Sequence, residues 1–113
     1  MKLQVNPEAI DDIAAIKKYI REEYNNPAAA DRIALKIVKA YKRLKTSPYA
    51  GTPLIAVVET ENDYRFLVCG NYLAFYRYED KTVYVDRILY GRRDYVRILF
   101  PEFAKLNDIL PQA

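Results

Sequence analysis

The stretch DYRFLVCGNYLAFYRYEDKTVYVDRILYGRRDY, residues 63–95, decides the fold. Three runs rich in aromatic and β-branched residues follow one another: Asp63 to Cys69, Asn71 to Tyr78, and Thr82 to Leu89. Gly70-Asn71 and Glu79-Asp80-Lys81 supply short turns between them, which predicts a meander of antiparallel strands. Strict alternation is blurred because Tyr and Arg can lie on either face of a sheet with their polar tips in water. Gly91 ends the last strand. Asp94 reads as the cap of a short helix, Tyr95 to Phe100, which Pro101 interrupts before a final turn over Glu102 to Leu110.

The period is different upstream. Lys2-Leu3-Gln4-Val5 alternates and reads as a short first strand with Leu3 and Val5 inward. Asn6-Pro7 opens a helix to about Tyr24: asparagine caps, and proline fits the first helical position, where its missing N–H costs nothing. Ile10, Ile13, Ile16 or Lys17, Ile20 and Tyr24 recur at helical spacing. Asn25-Asn26-Pro27 breaks this helix and starts another, to about Lys45, with Ala30, Ile33 or Ala34, Ile37, Tyr41 and Leu44 as its apolar stripe. The run Lys36, Lys39, Lys42, Arg43 and Lys45 is most simply its solvated face near the C-terminal end. The segment 47–53 carries two prolines and a glycine and forms a connector, followed by a loose strand over Pro53 to Val58. The fold class is therefore α+β: an N-terminal helical hairpin packed on a curled antiparallel sheet, with a short C-terminal helix, in one domain over residues 1–113.

Composition narrows the chemistry. The 113 residues hold one cysteine and no histidine. The usual zinc ligand sets, Ser-His-Asp triads and Cys-His pairs are excluded, and with three glycines there is no phosphate-cradling loop. Asp63, Asp80 and Asp86 are scattered, so neither a metal nor another cofactor is expected. Cys69 reads as a small apolar residue at a strand end. The sequence has no unbroken apolar leader and no run of the roughly 20 apolar residues that cross a bilayer, so a cytosolic protein without membrane contact is expected.

Arginine and tyrosine remain. The formal net charge is +3, and residues 87–97 hold Arg87, Arg92, Arg93 and Arg97 against Asp94 alone. Eleven tyrosines stand against four phenylalanines. Tyrosine packs with its ring and bonds with its hydroxyl, so a Tyr-rich core and sheet surface is the plain reading. The functional reading is stacking for unpaired bases beside arginines that hold phosphates. Arg65 and Arg77 have the opposite parity from Tyr64 and Tyr76 on their strands, which allows a basic patch crossing neighbouring strands with Arg87, Tyr90 and Arg92, in a register the sequence does not fix. Only one of Arg92 and Arg93 needs to face inward, leaving the other for a ligand. Guanidinium groups stabilise phosphoryl charge but are poor bases, so proton transfer would fall to a tyrosine whose pKa neighbouring arginines lower.

Asp63-Tyr64-Arg65-Phe66-Leu67-Val68, Asn71-Tyr72-Leu73-Ala74-Phe75-Tyr76-Arg77-Tyr78 and Leu89-Tyr90-Gly91-Arg92-Arg93-Asp94-Tyr95, with the opening Val5-Asn6-Pro7-Glu8-Ala9-Ile10-Asp11-Asp12-Ile13, resemble the RelE/ParE superfamily of bacterial toxins. The likeness covers nearly the whole chain. It implies a toxin of a type II toxin-antitoxin system, with a cognate antitoxin as partner. One branch of the superfamily cleaves mRNA on the ribosome without metal, and the other poisons DNA gyrase. On the nuclease pattern, Arg65, Arg93 and Tyr95 take the catalytic positions, and Arg77, Arg87, Tyr90 and Arg92 become substrate-binding. The chain departs from that pattern at Leu67 and Leu73, where the nucleases carry basic residues. The readings carried forward are a ribosome-dependent endoribonuclease, a gyrase inhibitor without nuclease activity, and a degenerate antitoxin-binding protein.

Overall fold

The computed structural model describes residues 2–58, 61–93 and 95–100. Strand β1 (Lys2–Val5) leads into helix α1 (Pro7–Glu23) and helix α2 (Pro27–Lys42), whose last turn tightens into a 3-10 helix over Arg43–Lys45. Then come β2 (Thr52–Pro53), a second 3-10 turn (Leu54–Ala56), β3 (Arg65–Cys69), β4 (Tyr72–Glu79), β5 (Thr82–Tyr90) and the short helix α3 (Tyr95–Leu99). The expected loose strand over Pro53 to Val58 is absent: pairing stops after Pro53, where Leu54 turns inward and is fully buried. The Asp94 cap and the final turn over 102–110 lie outside the described residues.

The helix starts follow local chemistry, although the two caps differ. Asn26 accepts a hydrogen bond from the Ala29 N–H at 3.1 Å, and Pro27 follows as the first helical residue. Asn6 makes no such bond; its side-chain amide turns away and donates to the Asp86 carboxylate. Between the helices, Asn25 takes a φ of 47°, a left-handed conformation asparagine tolerates better than most residues. The buried stripe of α1 is Ala9, Ile13, Ile16 and Ile20; Ile10, expected inward, lies one residue around the helix and is 56% exposed. In α2, Ala30, Ala34, Ile37, Tyr41 and then Leu44 are buried, with Ile33 packed beside them.

The sheet order is β1-β5-β4-β3-β2. β5, β4, β3 and β2 pair antiparallel, as the meander predicts, but β1 lies parallel to β5 with Leu3 opposite Val83 and Val5 opposite Val85. The sheet is therefore mixed. Asp80 and Lys81 both have positive φ, 50° and 61°, which joins β4 to β5 by the tight turn whose twist suits a hairpin. Gly70 supplies a φ of 63° for the turn between β3 and β4. The β4–β5 register shifts between Phe75 and Tyr76, leaving Asp86 as an extra residue between Val85 and Arg87.

Each sheet face buries its own cluster. Ala74, Tyr76, Val83, Val85, Ile88 and Cys69 pack with Ala9, Ile37, Tyr41 and Leu44 of the helices. Phe75 and Leu89 face the other way, against Leu54, Phe100 and the apolar side of α3. Ile37, Leu44, Ile88 and Leu89 are almost fully buried, worth about 2 kcal/mol each in transfer free energy.

Tyr76 fastens the connector to this core. Its hydroxyl donates to the Pro48 carbonyl at 2.8 Å and accepts from the Gly51 N–H at 2.9 Å. A Cβ on Gly51 would stand 2.7 Å from both the Phe66 carbonyl oxygen and the Tyr76 ring, so only glycine fits there.

Gly51→Ala is expected to cost about 2 kcal/mol by urea denaturation, through overpacking against backbone. Tyr76→Phe strands a buried N–H and is expected to cost about 2 kcal/mol at pH 7. Burial is the main cause holding the Tyr76 phenol above its ordinary 10.0, outweighing the downward pull of the Gly51 N–H and Arg65. The unfolded chain's phenol then ionises first, so this stabilisation is complete below pH 10 and is lost as pH rises from 10 to the folded-state value. The alkaline fall in stability should be smaller in Tyr76→Phe than in the parent; equal falls would refute the assignment.

Candidate binding site at the end of the sheet

β1 has four residues and leaves the outer edge of β5 without a strand neighbour beyond Val85. The Asn6 N–H still reaches the Val85 carbonyl at 2.9 Å. Three residues on, the Ile88 N–H would face a gap, and the Asp12 carboxylate of α1 fills it at 2.9 Å. The same carboxylate takes Arg87 in a two-pronged pair, Nε at 2.8 Å and Nη2 at 2.9 Å. Asp12 is 12% exposed and Arg87 26%, so the pair is largely desolvated, and the hydrogen bonds to Asp12 are the main reason the Arg87 pKa is raised.

Arg77 is engaged in the same manner. Its Nε donates to Asp86 at 2.6 Å, its Nη1 reaches Glu79 at 3.1 Å, and its guanidinium lies 5.1 Å from the Tyr84 ring centroid. Asn6 completes the Asp86 site from the other side. These groups line a recess of about 310 Å³ with Glu8, Tyr64, Ile98 and Leu99. Carboxylates balance its two arginines. Burial, and then Asp86, push the Tyr64 phenol up rather than down.

Arg65 lies elsewhere. It stands opposite Tyr76 in the β3–β4 register, which puts it on Tyr76's side of the sheet and Arg77 on the other, so the shared patch expected from parity does not form. The register could not be read from parity alone, since a one-residue slip reverses every face. Arg65 donates to the Gly51 carbonyl at 2.8 Å and covers the Tyr49 ring at 4.9 Å. It fastens the connector that Tyr76 also holds. Tyr95 packs its ring on Phe75, centroids 5.2 Å apart, inside the second cluster.

Tyr90, Arg92 and Arg93 remain exposed at the opposite end of the sheet from Arg65. Arg65 begins β3, whereas Tyr90 pairs with Tyr72 beside the strand's last residue, roughly 13 Å further along. There a hollow of about 210 Å³ opens between α1 and β5. Ala15, Ile16 and Ile88 make its floor, and Tyr19, Tyr72, Tyr90 and Arg93 surround it, with Asp12 at one side. Tyr72 and Tyr90 meet edge to face at 5.8 Å, and Tyr19 meets Tyr24 in the same way at 6.2 Å. Tyr19, Tyr24 and Tyr90 are 55%, 67% and 42% exposed, a concentration of large aromatic surface that marks contact sites. Sequence reading did not single out Tyr19 or Tyr72. The available signal was the spacing Glu8, Asp12, Ala15, Tyr19, which puts one flank of α1 alongside β5.

The hollow suits binding more than proton transfer. Tyr19, raised chiefly by neighbouring Tyr24, and Tyr72, raised chiefly by burial, keep their protons and act as donors. Burial likewise raises Tyr41, Tyr64 and Tyr76, the opposite of the lowering that a proton relay would need. Cys69 is buried and its thiol is pushed up by desolvation, in keeping with a packing role.

Residues 3–95 match the family described as ParE toxin of type II toxin-antitoxin system, parDE. Among solved structures, a chain of the chromosomal ParDE TA system from P. aeruginosa is 25% identical, with a TM-score of 0.66; the match covers 80% of this chain and 95% of that one. No curated protein matches.

Removing the Asp12 carboxylate leaves both the partly buried Arg87 guanidinium and the Ile88 N–H without their acceptor. Asp12→Ala is expected to cost about 3 kcal/mol by urea denaturation, and a cycle with Arg87→Ala to show about 2 kcal/mol of coupling. Additive single losses would mean that the two side chains act independently.

Proposed function

This chain belongs to the ParE family of type II toxin-antitoxin toxins, and from that premise we propose that it arrests growth by binding DNA gyrase, without cutting RNA. One observation carries the reading: of the guanidinium groups a nuclease would turn toward a scissile phosphate, Arg65, Arg77 and Arg87 are committed to internal partners, and only Arg92 and Arg93 stay exposed. Arg77 is held by Asp86 and Glu79, Arg87 by Asp12, and Arg65 by the Gly51 carbonyl. Leu67 and Leu73, at positions where the nuclease branch carries basic residues, pack against the two apolar clusters. Tyr95 is a packing residue as well. Catalysis by positioned charge needs groups preorganised around one reacting centre, and these residues do not share one.

The cognate antitoxin is the partner the family entails. An open groove of about 870 Å³ lies beneath Lys2, Lys42 and Lys45, with Leu3, Gln4, Thr82 and Tyr84, and no carboxylate lines it. With the exposed Lys36 and Lys39 of α2, it would speed encounter with an acidic protein. Among the described residues, no helix is long and apolar enough to cross a membrane.

The nuclease reading rests on Arg93, exposed beside Tyr90. Two measurements separate the readings: plasmid supercoiling by purified gyrase with added toxin, and primer extension of cellular mRNAs after induction without antitoxin. The expected result is lost supercoiling with intact transcripts. Cut transcripts that become whole in Arg93→Ala, with gyrase unaffected, would establish the nuclease. Normal growth with neither effect would leave only antitoxin binding.

A further inference from the structure

We infer that the tyrosine-lined hollow between α1 and β5 is the antitoxin's anchoring pocket, taking one apolar side chain whose neighbouring carboxylate meets Arg93. The inference rests on the chain being a toxin held by an antitoxin, and not on the gyrase reading.

Volume and lining define the occupant. A hollow of about 210 Å³ with Ala15, Ile16 and Ile88 as its floor admits one leucine- to phenylalanine-sized group. Tyr19, Tyr72 and Tyr90 line it, offering ring surface and phenol hydroxyls to a partner. The edge-to-face pairs Tyr72–Tyr90 and Tyr19–Tyr24 already hold these rings against one another, so little rotamer freedom is lost when a partner arrives.

The charge of the rim points to a carboxylate. Arg93 has no ion-pair partner among the described residues, and Arg92 is exposed beside it. Asp12, the acid lining the hollow, is occupied by Arg87 and the Ile88 N–H, so its charge is already met. Arg and Tyr are the residues that most often dominate interface energetics, and here they surround an apolar floor. A nucleobase clamped within either ring pair fits less well: Tyr72–Tyr90 and Tyr19–Tyr24 meet edge to face at 75° and 82°.

The test is calorimetric titration of the toxin with the protein encoded in the adjoining reading frame, with a short single-stranded RNA as a second probe. Tyr90→Ala and Arg93→Glu are each expected to weaken antitoxin binding roughly thirtyfold or more, with Arg93→Lys in between. Circular dichroism should show both variants folded at the titration temperature, since Arg93 is exposed and Tyr90 is 42% exposed. Parental affinity in both variants, while the parent toxin binds, would overturn the pocket and leave the toxin assignment intact. RNA binding lost in both variants, with antitoxin affinity unchanged, would also overturn it in favour of a nucleic-acid site. No binding of the adjoining-frame protein to the parent toxin would overturn both the pocket and the toxin-antitoxin reading.

Discussion

The carboxylate of Asp12 closes an edge that the sequence leaves open. β1 is too short to accompany β5 along its length, and an unmatched backbone donor at Ile88 would weaken the sheet beside its most buried residues. One side chain from α1 meets that donor and a guanidinium together. Helix and strand are thereby set at a fixed spacing, and everything else on that flank follows. Glu8 faces the recess on one side of the pair, and Ala15 and Tyr19 face the hollow on the other. The aromatic surface toward partners exists because a polar contact a few residues away holds the helix in place.

Arginines of one kind meet different ends here. Arg87 and Arg77 are drawn into carboxylate pairs that burial strengthens, and Arg65 is set against a carbonyl and a ring. Desolvated pairs of this sort are costly to break, so these three serve the architecture. Arg92 and Arg93 follow the last strand, where no acid among the described residues forms an ion pair with them, and their charge faces solvent or a partner. Local excess of positive charge in the sequence overstated what the surface offers, because Asp12 takes up Arg87, the first of its four arginines, from afar.

The helices, the hairpin turns and the three-strand meander were legible because their signals are local: proline after asparagine, glycine or paired polar residues at turns, and apolar residues at period 3.6 or 2. The direction of β1 was not, since a four-residue strand carries no mark of which neighbour it joins or which way it runs. The placement of Arg65 failed for a related reason. Parity assigns faces within a strand, whereas the face shared between strands depends on register, and the β3–β4 register sets Arg65 opposite Tyr76, not Arg77. Tyr95 read as a reactive phenol from its order after Gly-Arg-Arg-Asp, but packing against Phe75 decides its surroundings. Cys69 was legible as a packing residue from its apolar neighbours and the absence of any base.

Parallel pairing of β1 with β5 joins the first segment of the chain to nearly the last. Asn6 bonds Asp86, eighty residues away, and Leu3 lies beside Val83. During synthesis the N-terminal strand therefore leaves the ribosome long before its partner is made, and the two helices emerge with no sheet to cover their apolar stripes. Cooperative closure waits for β5, so a polypeptide interrupted anywhere in the meander has neither the α1–β5 junction nor the surface built on it.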